Sequence, residues 1–301
     1  MEFKAKFIER YSGLTDFEKY KEACGVRRDK SIRVNTLKIS VSSFVSRMKS
    51  LKLRKVPWCS EGFFVGGERT DLGNLAEHGL GYFYVQEASS MVPVEILKPK
   101  PGDFVLDMAA APGSKSTQIA SKLKNKGFLM ANDVNYNRMK ALTMNMQRCG
   151  VINYISTLKE GRFFRGFSFD KILLDAPCSG TGTLSKSPRT ALEWNPHGIR
   201  RLAGIQKQLI KAAFENLAEG GSMVYSTCTL EPEEDEGVVS YLLDNFSNAK
   251  VSKVKLDGLK TSKAVTSFNG KEFDPSVKNC LRIWPQDNKT DGFFVAKIKK
   301  I

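Results

Sequence analysis

Two cysteines stand where strand-like runs end. Lys171-Ile172-Leu173-Leu174 leads into Asp175-Ala176-Pro177-Cys178-Ser179-Gly180-Thr181-Gly182, and Met223-Val224-Tyr225 leads into Ser226-Thr227-Cys228-Thr229. Each short apolar run of buried-strand type gives way to small and polar residues at the carboxyl edge of an expected sheet, where open α/β sheets bind ligands. Either thiol alone reads as an ordinary buried residue. Together, with Asp175 beside one of them, they describe a crevice that brings an acid and two thiols into reach of one ligand. A thiolate is an intrinsically strong nucleophile, and an electropositive neighbourhood favours it.

A third junction lies upstream. Phe104-Val105-Leu106-Asp107-Met108 runs into Ala109-Ala110-Ala111-Pro112-Gly113, and Ser114-Lys115-Ser116-Thr117-Gln118 opens a helix. Ala109, Ala110, Ala111 and Gly113 carry almost no side chain, so a cofactor can approach the backbone and meet the N–H groups at the helix start. Any strand-to-helix turn favours small residues, so this turn points to a nucleotide-type cofactor only in company. The company is Asp133, at the end of the next strand (Ala131-Asn132-Asp133), about where a doubly wound fold holds a ribose hydroxyl pair. The competing reading of Asp133 is the N-cap of a helix beginning at 135. Methyl transfer to carbon 5 of a pyrimidine needs a cofactor, an acid and a thiol. That carbon is weakly nucleophilic until a thiolate adds to carbon 6, and afterwards the carbon 5 proton must leave before the enzyme is expelled.

Alternating elements must bring these junctions together. Strands are expected at 104–108, 128–133, 154–158, 171–176 and 222–227, with helices at 114–124, 135–148, 198–218 and 233–245. The tail adds strands at 250–256 and 293–298. This alternation predicts an α/β, Rossmann-like, doubly wound and mostly parallel seven-stranded sheet with right-handed crossovers. Upstream, Phe3, Phe7, Tyr11 and Leu14 predict a helix over 2–23. Strands follow at 31–39, 53–56, 62–65 and 82–86, with helices at 42–51 and 87–97. Pro99, Pro101 and Gly102 close the last helix before the central strand. The expected division is a small α+β module over 1–85 and a catalytic domain over 86–301.

Charge suggests the partner of the first module. The chain has 301 residues, 41% of them apolar, and Lys plus Arg (47) exceed Asp plus Glu (32), a net charge of +15 that attracts a polyanion such as nucleic acid. Ten of these cations (Arg27, Arg28, Lys30, Arg33, Lys38, Arg47, Lys49, Lys52, Arg54, Lys55) crowd between Val26 and Lys55 against the single acid Asp29. The plain alternative is a solvated face. There is no 18-residue apolar run, and the opening Met-Glu-Phe-Lys-Ala-Lys lacks the core of a signal peptide, so a cytoplasmic protein without a membrane partner is expected. Six scattered cysteines (Cys24, Cys59, Cys149, Cys178, Cys228, Cys280) fit neither a metal knuckle nor a disulfide scaffold. His78 and His197 have no ligand pattern around them, and no metal is expected. The acidic run 231–236 reads as a helix start, with Pro232 and acids complementing the helix dipole.

The three junctions closely resemble the motifs of the Sun-type RNA cytosine-5 methyltransferases, which use S-adenosylmethionine. The likeness extends to Arg33-Val34-Asn35-Thr36-Leu37-Lys38, Tyr84-Val85-Gln86-Glu87-Ala88-Ser89-Ser90-Met91, Gln206-Lys207 and Asp291-Gly292-Phe293-Phe294, and so runs from about residue 30 to the end. The resemblance implies Cys228 as nucleophile, Cys178 as the residue that assists product release, Asp175 touching both cytosine and cofactor, and Lys115 positioning the base. It also implies a cofactor site from Ala109, Ala110, Ala111, Pro112, Gly113, Ser114, Lys115, Asp133 and Arg138. Where the family usually has Gly-Asp after the third strand, this chain has Lys159-Glu160, and Glu160 takes the place near the adenine. The short basic N-terminal module looks most like the compact archaeal enzymes that modify transfer RNA, acting as monomers. Ribosomal RNA as substrate, or a non-catalytic RNA-assembly factor, are the rival readings. A DNA enzyme would use the Pro-Cys thiol as nucleophile and carry a large target-recognition insert.

Overall fold

The computed structural model describes residues 2–67 and 71–301. Met1 and 68–70, both within the module expected over 1–85, lie outside the described residues. The helix expected over 2–23 is a hairpin of α1 (Ala5–Ser12) and α2 (Phe17–Gly25), because the chain turns at Gly13 and Asp16 restarts it by accepting the Lys19 N–H at 3.2 Å. Its apolar faces build an aromatic cluster of Phe7, Tyr11 and Tyr20 with Trp194, Leu230 and Trp284. Next come β1 (Lys30–Val34), α3 (Val41–Arg47), β2 (Lys52–Lys55), β3 (Gly62–Gly66), α4 (Ala76–Gly79) and β4 (Phe83–Val85). The four strands form an antiparallel sheet in the order β2-β3-β1-β4, with its own core around Ile32, Val34, Phe44, Phe63 and Phe83. β1 stops at Val34 rather than continuing to 39, since Asn35 turns the chain and its carbonyl accepts the N–H groups of Lys38 and Ile39. Glu87 accepts the N–H groups of Ser89 and Ser90, so a short 3₁₀ turn precedes α5 (Val92–Leu97), which is shorter than the helix expected from 87.

The larger sheet is built from β5 (Phe104–Asp107), α6 (Ser114–Leu123), β6 (Phe128–Asp133), α7 (Tyr136–Arg148), β7 (Tyr154–Leu158), β8 (Phe169–Asp175), α8 (Arg189–Glu193), α9 (Pro196–Glu215) and β9 (Leu217–Thr227). They are followed by α10 (Glu236–Asn245), β10 (Ala249–Val251), the hairpin β11 (Ser267–Phe268) and β12 (Lys271–Glu272), β13 (Leu281–Ile283), α11 (Pro285–Asn288) and β14 (Phe293–Lys300). Seven strands run in the order β10-β14-β9-β8-β5-β6-β7. The five from β7 to β9 are parallel, β14 and β10 are antiparallel to their neighbours, and β13 pairs with β14. Val105, Leu129, Leu173 and Val224 face one apolar layer while Leu106, Ile172, Leu174 and Met223 face the other, as a parallel sheet covered on both sides requires.

The acidic run departs from its expected reading. α10 begins only at Glu236, and Glu231, Glu234, Asp235 and Glu236 are all buried. Arg282 reaches Glu236 at 2.5 Å and Asp235 at 3.3 Å, and Arg10 reaches Glu231 at 2.5 Å. Buried carboxylates need cations or hydrogen bonds more than they need a helix dipole.

Candidate active site

β8 and β9 are adjacent and parallel, and their register pairs Asp175 with Ser226, so the loops that leave them emerge side by side. Cys178 and Cys228 thereby meet with their Sγ atoms 3.4 Å apart. The loops are knitted to each other. Ser179 and Thr181 share hydroxyl hydrogen bonds with Thr229 at 2.7 and 2.9 Å, and the Gly182 N–H donates to the Cys228 carbonyl at 2.9 Å. A side chain at position 182 would place its Cβ 2.4 Å from the Gly292 carbonyl and 2.7 Å from that of Cys228, so only glycine permits this approach.

The acid is held from two sides. Lys115, on the first turn of α6, donates to Asp175 Oδ2 at 2.6 Å, and the Ser226 hydroxyl donates to Oδ1 at 2.8 Å. Lys115 is itself buried and lies 5.4 Å from the centre of the Phe293 ring. The hydrogen bond with Cys228 and burial together push the Cys178 thiol well above its ordinary range. The two sulfurs are within hydrogen-bond distance, and either can donate to the other.

The third junction forms the wall opposite. Gly113, at a φ of 106°, opens α6 directly, and a Cβ there would press on Leu142 at 3.0 Å. Ala110 N–H donates to the Asn132 carbonyl at 2.7 Å, and Ala111 N–H donates to Asp133 Oδ2 at 3.2 Å. Arg138 donates to the Ala111 carbonyl and pairs with Asp133 at 3.3 Å. Asp133 also accepts the Asn135 N–H at 2.9 Å, while Asn135, not Asp133, caps α7. Glu160 follows β7 at the same edge, exposed and paired with Arg162 at 2.6 Å. Burial raises the carboxyl of Asp107 to about 7, with the Ser116 hydroxyl opposing the rise by donating to Oδ2 at 2.6 Å. Asp107 Oδ1 is buried without a partner among the described residues. Short side chains, an open backbone, free acceptor capacity at Asp133 and an orphan acceptor at the end of β5 fit S-adenosylmethionine.

All the residues singled out from the sequence, Ala109 to Lys115, Asp133, Arg138, Glu160, Asp175, Cys178 and Cys228, belong to this one edge of the sheet or to the helix starts beside it. Ser226, Gln206 and Glu234 stood in stretches singled out from the sequence (the Thr-Cys motif, the family likeness and the acidic run) but were given no role in the site. A polar Gln206 on the apolar face of α9 was the available signal for one of them. The basic stretch is less uniform than its composition suggests. Arg33 is 1% exposed and donates to Gln86 at 2.5 Å, to the Ser114 carbonyl at 2.7 Å and to Thr117 at 2.9 Å, while Arg28 is turned inward on the Ala23 carbonyl and Asp291. Among the described residues one group, Cys59, Glu61 and Glu95, has metal-ligand spacing, and the Lys122 ammonium reaches both carboxylates at 3.0 Å.

The fold and site are those of an S-adenosylmethionine-dependent methyltransferase, and its relatives make the substrate class RNA cytosine at carbon 5. The profile described as 16S rRNA methyltransferase RsmB/F matches residues 94–299, and the profile for the N-terminal domain of 16S rRNA methyltransferase RsmF matches 3–88. The chain belongs to the RsmB/F family. It is 42% identical to a tRNA (cytosine(49)-C(5))-methyltransferase of Pyrococcus abyssi over 98% of this chain and 96% of the relative. It is 44% identical to ribosomal RNA small subunit methyltransferase F of Aliivibrio salmonicida over 99% of this chain, but spans only 63% of that relative. A methyltransferase homologue from Pyrococcus horikoshii superposes with a TM-score of 0.84 at 39% identity, covering 94% of this chain and 90% of the other. NSun6 from the same organism superposes at 0.85 with 28% identity, covering 99% and 98%. No helix of the described residues is long and apolar enough to cross a membrane.

Proposed function

We propose that this chain methylates carbon 5 of a cytosine in transfer RNA through a covalent adduct on Cys228. The observation that carries the reading is the pair of thiols 3.4 Å apart, next to an acid already fixed by a lysine and a serine. The Cys228 thiolate adds to carbon 6, its electron pair making the new C–S bond while the pair of the 5,6 double bond makes carbon 5 nucleophilic. Asp175, oriented by Lys115 and Ser226, takes the edge of the base. When bound, S-adenosylmethionine supplies the methyl group as an electrophile. Cys178 then assists release of the product by donating to the departing Cys228 thiolate. Residues 109–115, Asp133, Arg138 and Glu160 hold the cofactor.

The RNA enters, on this reading, over the N-terminal module of residues 1–85, with the catalytic domain over 86–301. The separate profile matches support that division. A cleft of about 510 Å³ lined by Arg27, Arg54, Phe64 and Lys289 adjoins one of about 400 Å³ lined by Lys30, Gln86 and Lys186, a mixture of cations and an aromatic ring suited to a nucleic-acid strand. Transfer RNA is taken as the substrate on the likeness to the archaeal tRNA enzyme, 42% identical over 98% of this chain. The enzyme works as a cytoplasmic monomer. The test is incubation with methyl-labelled cofactor and tRNA, 16S rRNA or DNA. Label in tRNA, mapped by bisulfite sequencing to one cytosine, is the expected outcome. Label in rRNA alone would change the substrate, and label in DNA would refute the reading.

A further inference from the structure

Cys178 is held by two side chains that belong to other elements. Gln206, fully buried on α9, donates from Nε2 to the Pro177 carbonyl at 2.8 Å and to Glu234 Oε2 at 2.8 Å. The same Glu234 oxygen accepts the Ser179 N–H at 3.0 Å. Pro177 and Ser179 flank Cys178, so one buried pair clamps the backbone on both sides of the thiol. This clamp is costly. Glu234 is fully buried with no cation paired to it among the described residues, and burial raises its carboxyl to about 7. Glu234 Oε1 and Gln206 Oε1 are both buried without hydrogen-bond partners among the described residues. Packing alone would be served better by apolar residues of similar volume, so the arrangement calls for another explanation.

We propose that Glu234 and Gln206 are positioning residues that hold Cys178 against Cys228, and that product release depends on them more than formation of the adduct does. The proposal rests on the release role given to Cys178 above. In that step the carbon 5 proton passes to water and its electron pair restores the 5,6 double bond. The carbon 6–sulfur bond breaks with its pair on Cys228, and the Cys178 S–H, 3.4 Å away, donates to the departing thiolate. Cys228 itself is carried by β9 and by the Gly182 N–H; Tyr225 on β9 donates to the Glu234 backbone carbonyl at 2.6 Å, a bond that a change of the Glu234 side chain keeps. A shift of the 177–179 backbone moves Cys178 directly and reaches Cys228 only through the Ser179–Thr229 hydroxyl bond, so it weakens release more than attack.

Single-turnover methyl transfer and the fraction of protein left bonded to RNA after denaturation separate the two steps. Glu234→Ala should transfer methyl at nearly the parent rate, release product about 10-fold to 100-fold more slowly, and accumulate adduct as Cys178→Ala does. Glu234→Gln keeps an oxygen for both the Ser179 N–H and the Gln206 Nε2, so it should restore release. Gln206→Met, which keeps volume but frees the Pro177 carbonyl, should trap adduct too and serves if Glu234→Ala does not fold. Equal slowing of both steps in Glu234→Ala and Gln206→Met, or no rescue by Glu234→Gln, would overturn the clamp while Cys178→Ala still traps. Failure of Cys178→Ala itself to trap would remove the release role and this proposal with it.

Discussion

Asp133 shows how one side chain serves both the fold and the cofactor. Its two oxygens take the N–H groups of Ala111 and Asn135 and the Arg138 guanidinium. A carboxylate has roughly four lone-pair sites, which leaves one for a ribose hydroxyl. Asp133→Asn should weaken S-adenosylmethionine binding by roughly 1–3 kcal/mol, the cost of leaving buried polar groups unpaired. Calorimetry showing unchanged affinity would take Asp133 out of the site. The sequence offered two readings of Asp133, ribose ligand or helix cap, and Asn135 takes the cap. Asp175 and both thiols were legible because each ends a strand pattern, and strand ends converge at one edge. The burial of Arg33 was not legible, since a count of cations carries no information about place. Its partners Gln86, Ser114 and Thr117 come from segments remote in the chain.

At the scale of elements, the loop after β9 depends on residues from both ends of the chain. Arg282 on β13 donates to the Leu230 carbonyl at 2.8 Å and pairs with Asp235 and Glu236, while Asp235 accepts the Thr227 hydroxyl at 2.6 Å beside Cys228. Arg282→Met would leave two buried carboxyls without their cation. A loss of about 3–5 kcal/mol is expected in denaturant melts. Burial already pushes Asp235 well above the carboxylate range with Arg282 opposing it, so removing Arg282 raises it further. The native variant then binds more protons than its unfolded chain, and its stability should rise as pH falls from neutral toward the ordinary carboxylate range. A variant as stable as the parent, or one whose stability falls over that range, would show that the pairing is dispensable. The helix-dipole reading holds for Glu236, in the first turn of α10, and fails for Glu231, Glu233 and Glu234 for the same physical reason. Local sequence shows acids near a proline, whereas burial and the distant Arg10 and Arg282 decide their state.

For the whole molecule, alternation of strand and helix was enough to read the parallel sheet, and the antiparallel β14 and β10 were visible as tail strands. The short β13 and the β11–β12 hairpin were not, because two or three residues give no period to detect. RNA capture is a property at this scale. Arg28 points inward, so Arg27, Lys30 and Lys289, exposed along the two clefts, are the residues to neutralise together. The triple variant should bind RNA more weakly, with the slope of log affinity against log salt reduced by roughly 0.7–0.9 for each phosphate that the protein no longer neutralises. An unchanged slope would make the basic stretch a solvated face only.

The covalent route rests on the two thiols having different tasks, and denaturing electrophoresis of enzyme incubated with RNA and cofactor reads those tasks directly. Covalent catalysis divides the reaction into addition and release, so blocking release traps what addition makes. Cys228→Ala should lose turnover, form no adduct and keep cofactor affinity near normal. Cys178→Ala should transfer its methyl group and then remain bonded to the RNA, running as a slow band. Adduct in Cys228→Ala with none in Cys178→Ala would contradict the account, reversing the roles and giving this chain the order of attack expected of a DNA-type enzyme.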